Sequence, residues 1–317
     1  MFGKKDIPVY LFTGFLESGK TTCIQDVIDE GNFSDGSKTL YLSCEEGAKA
    51  IDDQVLMANR MSFATWDEEQ SLTEDVCTKL EKKYKPDRVV IEYNGLWDIK
   101  RLTDEVLPEH WFVVQTFTTV NASTYQLYSQ NFRAWLTAHF QNADLVIFNR
   151  CQEGFDKPAA RRSVKAINRM AQVLFEAEDG SVITDINEEL PYDIHQDTIE
   201  LEDDDYGLWY LDITEHPEKY EGKTMVFKGQ VFRKPGFPPR SFVPVRKAMT
   251  CCVEDIAPIG FMCFSNDESK YKTNSWVRVT AKVELRKVPN EPRYYPVLCA
   301  TSLQEDQPPK EEVVYFT

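Results

Sequence analysis

Along the first half of the chain, short unbroken apolar runs alternate with longer stretches in which apolar residues recur every three or four positions. "PVYLF" (8–12), "TLYLSC" (39–44) and "DRVVIEYNG" (87–95) are runs of the first kind, and "WFVVQTFTTVNA", "ADLVIFNR" and "AQVLFEA" follow them. Runs without polar alternation read as strands covered on both faces. "KTTCIQDVIDEG" reads as a helix closing near Gly31. Residues 67–84 read as another, acidic at its start and basic at its end, as the helix dipole favours. Strands separated by helical segments predict a doubly wound, mostly parallel α/β sheet with helices on both faces.

The pattern changes after about residue 180. Residues 181–205 hold ten acids and no lysine or arginine, which reads as a solvated connector. From about Leu208 the helical signal fades. "TMVFKGQVFRK", "RSFVPVRKAMTCCV", "GFMCFSN", "SWVRVTAKVELRKV" and "YYPVLCATSLQ" read as strands separated by Gly, Pro and Asn. They predict a small closed or partly open barrel such as an OB-fold. The tail breaks at Pro308 and Pro309 and is expected to end as an edge strand. The expected organisation is an α/β domain at 1–180, an acidic linker at 181–205 and a β-rich domain at 206–317.

Composition narrows the function. A length of 317 residues, 42% hydrophobic and 12% aromatic, suits two domains with real cores. A net charge of −16 argues against a large nucleic-acid surface, because a phosphate backbone needs a basic footprint. No apolar stretch approaches a membrane span and no signal peptide stands out, so a cytoplasmic protein without direct membrane insertion is expected. The eight scattered cysteines then read as reduced thiols.

Within "VYLFTGFLESGKTT" (9–22), Gly14, Gly19, Lys20 and Thr21 complete G-x-x-x-x-G-K-[ST] between a predicted strand and a predicted helix. In such a loop the backbone amides from Gly14 through Glu17, Ser18 and Gly19 to Thr22 cradle phosphate oxygens at a helix N-terminus. Lys20 would reach the terminal phosphates and the Thr21 hydroxyl would ligate Mg2+. Glu17 adds a negative charge; pointing inward it would cost several kcal/mol against phosphate, so its side chain is expected to face outward.

The loop and later segments together resemble the CobW-type (cobalamin-synthesis W-like) metallochaperone GTPases over residues 5–180. "TGFLESGKTT" is similar to that family's extended phosphate loop. "CEEGAKAID" (44–52) resembles the segment in which an acidic residue, here Glu45, approaches Mg2+. In "VVIEYNGLWD" (89–98), Glu92 and Gly95 replace the usual D-x-x-G. "ADLVIFNR" (143–150) resembles the strand leading to the base-reading motif. The resemblance implies GTP, Mg2+ and a role in metal handling. The chain departs from the family in three places. The C-x-C-C metal motif is absent. Asn149, Arg150, Cys151 and Gln152 stand where N-K-x-D is usual, so ATP stays open beside GTP. Asn121 replaces an aspartate.

Residues 206–317 resemble a small paired-cysteine domain of unknown function that accompanies predicted bacterial permeases; its C-C-x-x-D core matches Cys251, Cys252 and Asp255. Cys251 and Cys252 have two readings: packing as small apolar residues, or holding a transition metal such as Zn2+ at a turn. Glu45 is either a water-mediated Mg2+ ligand or a solvated carboxylate. Glu92 ends a buried parallel strand at the sheet edge where ligands bind, and is assigned to Mg2+. His110, His139, His195 and His216 form no metal or triad spacing and read as surface or local structure.

The expected function is a P-loop GTPase, with Lys20, Thr21 and Glu92 at the phosphates and Gly95 sensing the terminal one. It would act as a switch in metal homeostasis or metalloprotein maturation. No residue is an evident orienter of the attacking water, so hydrolysis is expected to be slow, on the order of 10⁻³ to 10⁻² per second. A partner or a second copy of the chain, a homodimer, is then expected to complete the site. The alternative is an ATP-binding, weakly hydrolysing adaptor whose β-domain docks a transporter component or other protein client.

Overall fold

The structure is a computed structural model that describes residues 5–31, 33, 35–45, 51–184, 190–249, 256–287 and 294–316. Cys251, Cys252 and Asp255 lie outside the described residues. The chain forms two compact units, residues 1–157 with 170–186, and residues 158–169 with 187–317.

In the first unit, seven strands form one sheet in the order β3-β2-β4-β1-β5-β6-β7, every neighbouring pair parallel. They are β1 (Ile7–Thr13), β2 (Thr39–Ser43), β3 (Met61–Thr65), β4 (Arg88–Glu92), β5 (Trp111–Asn121), β6 (Leu145–Cys151) and β7 (Gln172–Ala177). Ile7, Val9 and Leu11 pack into one layer with Leu42, Val89 and Ile91, while Phe12, Tyr41 and Val90 pack into the other. This two-sided burial is why the strands read as continuous apolar runs. Six of the seven match the expected runs. The addition is β3, an edge strand whose burial alternates, so its sequence carries no such run.

The helices of this unit are α1 (Lys20–Asp29), α2 (Asp53–Ala58), α3 (Glu74–Tyr84), α4 (Ile99–Arg101), α5 (Ala122–Asn131) and α6 (Arg133–Asn142). Ile24 and Ile28 of α1 are buried, and α1 ends where Gly31 led us to expect. The helix expected at 67–84 begins only at Glu74, after a single 3-10 turn at Glu69–Ser71. Asn121 caps α5, its Oδ1 accepting from the Ser123 N–H at 3.0 Å.

The second unit contains α7 (Lys157–Ile167), β8 (Thr198–Glu200), α8 (Tyr206–Glu215), β9 (Thr224–Phe232), β10 (Ser241–Ala248), β11 (Ala257–Ile259), β12 (Cys263–Phe264), β13 (Trp276–Lys287), β14 (Tyr294–Glu305) and β15 (Val313–Val314). Strands β9, β10, β12, β14 and β13 pair in that order, and β13 returns to β9, closing a five-stranded barrel. Only β12 and β14 run parallel within it. The OB-like barrel expected from the strand spacing is thus present. Thr198–Glu200, inside the acidic stretch, pairs with β9, and the tail strand β15 pairs with β10.

Helix α8 corrects the expectation that helical structure ends near Leu208. Tyr206, Trp209, Tyr210, Leu211 and Ile213 are all buried in the barrel core. A helix covered all round carries no amphipathic stripe, so its sequence lacks the period that marks a surface helix. Among the described residues no helix is long and apolar enough to cross a membrane.

Candidate functional site

The C-terminal ends of β1, β2 and β4 meet at the centre of the sheet, where Phe12 and Ser43 both lie in register with Glu92. In an open parallel sheet this edge is where ligands bind. Glu92 is fully buried and accepts three hydroxyl hydrogen bonds: from Thr21 Oγ1 at 2.5 Å, Tyr41 Oη at 2.6 Å and Ser43 Oγ at 2.8 Å. A buried carboxylate that accepts that many hydrogen bonds is fixed in place. Glu92 thereby sets the direction of the Thr21 hydroxyl.

The chain turns from β1 into α1 through the phosphate loop. Gly19 caps the helix with φ 96°, and a Cβ there would lie 2.5 Å from Asn149 Nδ2, so both conformation and space require glycine. Ser18 Oγ ties the loop to β5 through Thr119 Oγ1 at 2.8 Å. Glu17 takes φ 60° and is exposed; its carbonyl accepts from Arg150 Nη1 at 3.0 Å. Thr22 is exposed on the first turn of α1.

Lys20 curls back into the loop. Its Nζ donates to the carbonyls of Gly14 at 2.7 Å and Phe15 at 2.8 Å, and pairs with Glu45 Oε1 at 2.8 Å. Both side chains are nearly inaccessible, at 1% and 6% exposure. Burial pushes the Lys20 pKa down, against the raising effect of Glu45, and burial likewise pushes Glu45 up, against Lys20. Glu45 also accepts from the backbone N–H of Gly95.

Gly95 packs directly on the loop: a Cβ would overlap the Gly14 carbonyl and lie 2.8 Å from Phe15 Cα. Its own carbonyl accepts from His139 Nε2 at 3.0 Å. Because a carbonyl only accepts, that nitrogen carries the proton, and Nδ1 is left buried without a partner among the described residues. His139 on α6, read from sequence as surface or local structure, is the second of these. It is buried, and burial lowers its pKa to about 4. No local spacing marks this role, because the contact spans 44 residues.

Protonation of His139 therefore favours the unfolded chain. Stability on this account is complete above pH 6.5, falls as pH drops toward 4, and levels off below that. The full loss is about 3 kcal/mol. Denaturant unfolding of wild type and His139→Gln across this range checks it, since glutamine keeps a donor for Gly95 and does not titrate. A parallel pH dependence in both proteins would contradict the assignment.

At the expected base-reading end, Asn149 Nδ2 donates to the Ser18 carbonyl at 2.7 Å, and its Oδ1 is buried with no hydrogen-bond partner among the described residues. Gln152 is exposed, with Nε2 donating to Glu178 Oε1 at 2.8 Å. Cys44 and Cys77 are buried, and burial raises both, Cys77 to about 12. Cys263 behaves the same way. Among the described residues no group of three or more His, Cys, Asp or Glu side chains is placed to hold a metal ion.

A parallel sheet with a glycine loop, a helix-capping lysine turn and a strand-end carboxylate defines a P-loop nucleotide-binding fold. Residues 8–175 match the family model of the CobW/HypB/UreG nucleotide-binding domain, and residues 178–316 match that of the DUF1980 C-terminal domain. The chain belongs to the CobW/HypB/UreG nucleotide-binding family. Among solved structures it is similar to the Zn(II)-bound YjiA GTPase from E. coli, at 18% identity over 72% of this chain and 74% of that one, with a TM-score of 0.41. It is also similar to the hydrogenase maturation factor HypB from Archaeoglobus fulgidus, at 16% identity over 56% and 84%, with a TM-score of 0.40. HypB from Helicobacter pylori in complex with nickel matches at 13% identity over 56% and 81%, with a TM-score of 0.32. No curated protein matches the chain.

Proposed function

We propose that the chain is a cytoplasmic, Mg2+-dependent GTPase that hydrolyses slowly and serves as a switch in metal homeostasis or metalloprotein maturation. The observation that supports this reading most is the buried Glu92 carboxylate holding Thr21 Oγ1 beside Lys20. A hydroxyl backed by a carboxylate is a hard oxygen set, which suits Mg2+. Thr21 would hold the ion, with Glu92 fixing its hydroxyl. The ion would supply charge neutralisation between the phosphates. Lys20 and the amides of residues 14–20 would bind phosphate oxygens. The Gly95 N–H would meet the terminal phosphate, and its loss on hydrolysis would reset residues 94–104. A protein client or transporter component, and a second copy of this chain, belong to the same reading as partners. So does Zn2+ at Cys251 and Cys252; equal absence of metal from wild type and the Cys251→Ser, Cys252→Ser variant would remove that part.

A second reading, an ATP-binding adaptor, is favoured by the base end. Guanine presents two N–H donors that an aspartate carboxylate would accept together, and Gln152 offers one carbonyl. Calorimetric titration with GTP and ATP in Mg2+ separates the readings: GTP binding at least about tenfold tighter, 1.4 kcal/mol, supports the GTPase, and tighter ATP removes that label. On the GTPase reading, Gln152→Asp is expected to strengthen GTP binding about tenfold and leave ATP unchanged, because the new acceptor is charged.

A further inference from the structure

Glu92 carries one more rotatable bond than the aspartate that holds this place in many P-loop proteins, so its oxygens need more anchoring to keep one orientation. Strand β2 supplies the anchors. Tyr41 and Ser43 are two residues apart, so both side chains leave the same face of β2, and Ser43 lies in register with Glu92. Both hydroxyls donate to Glu92 Oε2, Tyr41 Oη at 2.6 Å and Ser43 Oγ at 2.8 Å. The other oxygen, Oε1, accepts from Thr21 Oγ1 at 2.5 Å. The two oxygens of one carboxylate are thus divided between β2 and α1. We propose that Tyr41, assisted by Ser43, is a positioning residue for the divalent cation: it locks the Glu92 carboxylate so that the Thr21 hydroxyl turns its proton to Oε1 and its lone pairs outward. The proposal rests on the nucleotide-binding reading above and adds the residues that tune its metal dependence.

Packing alone does not call for a tyrosine here. Tyr41 is buried, with its ring centroid 5.1 Å from that of Phe63, and a phenylalanine ring would fill the same space. What the tyrosine adds is a hydroxyl at the carboxylate. A threonine hydroxyl has one proton and two lone pairs, so committing the proton to Oε1 leaves both lone pairs for other partners. Without the Tyr41 bond, Oε2 keeps only the Ser43 hydroxyl, and the carboxylate is free to turn about its terminal bond. Thr21 then loses its fixed direction. Lys20 does not, because its ammonium is held by the carbonyls of Gly14 and Phe15 and by Glu45. Loss of the Tyr41 hydroxyl therefore separates the two halves of the site: cation binding weakens while direct phosphate binding stays.

The test is calorimetric titration of the full chain with guanylyl and adenylyl imidodiphosphate, each in Mg2+ and in EDTA, for wild type, Tyr41→Phe and Ser43→Ala. Tyr41→Phe keeps the ring and removes the hydroxyl. It is expected to cut the strengthening of binding by Mg2+ at least about tenfold and to leave affinity in EDTA within about twofold of wild type. Ser43→Ala is expected to shift the same ratio in the same direction by less. Tyr206→Phe, which removes a buried phenol hydroxyl from the barrel unit, is expected to change neither affinity. A purely structural role for Tyr41 would instead lower both affinities together. Parallel losses with and without Mg2+, a Tyr41→Phe ratio equal to that of wild type, or wild-type binding that Mg2+ does not strengthen would each overturn the proposal. If Tyr41→Phe does not fold, Ser43→Ala carries the decision, because it removes a hydroxyl from the same carboxylate oxygen. Binding of neither analogue by wild type would overturn the nucleotide reading itself, and this proposal with it.

Discussion

Lys20→Ala is expected to weaken Mg2+–nucleotide binding at least about a hundredfold, close to 3 kcal/mol, through loss of a desolvated charge-assisted contact to phosphate. The effect is large because Lys20 is positioned by the fold rather than by the ligand: two loop carbonyls hold Nζ in a buried site. A second consequence separates this site from an exposed lysine. Removing Lys20 leaves the Glu45 carboxylate, 6% exposed, without its cation. Breaking a buried pair from one side costs on the order of 3–5 kcal/mol. Urea unfolding should therefore show Lys20→Ala strongly destabilised. Lys20→Ala with Glu45→Gln should regain most of that stability without regaining nucleotide affinity. A double variant as unstable as the single one would mean that the pair is not what the loop depends on.

Gly95→Ala is expected to abolish nucleotide binding and to destabilise the chain by about 3 kcal/mol, at the upper end of overpacking effects. The added Cβ would overlap the Gly14 carbonyl and sit 2.6 Å from the Gly14 carbonyl carbon. These atoms are backbone, so no rotamer change relieves the clash. Either the loop or the turn after β4 must move, and the proposed function puts both against the phosphates. The neighbouring Leu96 is 58% exposed, and Leu96→Ala should stay within about 0.5 kcal/mol of wild type. Chemical denaturation and calorimetry on the two variants check the contrast. Wild-type binding by Gly95→Ala would show that the turn does not contact the nucleotide.

Much of the architecture is legible because its elements answer to local rules. Strands buried on both faces write themselves as apolar runs, and Gly14, Gly19, Lys20 and Thr21 are close enough in sequence to be read together. The strand β3 and the helix α8 are hidden for opposite reasons: one is too little buried to form a run, the other too uniformly buried to show a period. In the site, the Glu92 position follows from its place at a strand end. Its three hydroxyl partners do not, since Tyr41 and Ser43 project from a different strand. His139 and the Lys20–Glu45 pair are invisible to spacing for the same reason. Each joins residues 25 or more positions apart, and only the sheet order brings them together.

The most direct measurement is titration of the purified full chain with GTP and with ATP in Mg2+, followed by heat. The account expects saturable, one-to-one binding of at least one triphosphate in the micromolar range, about −8 kcal/mol, lost in Lys20→Ala. No measurable heat or competition from either nucleotide, at concentrations up to about a millimolar, would contradict it.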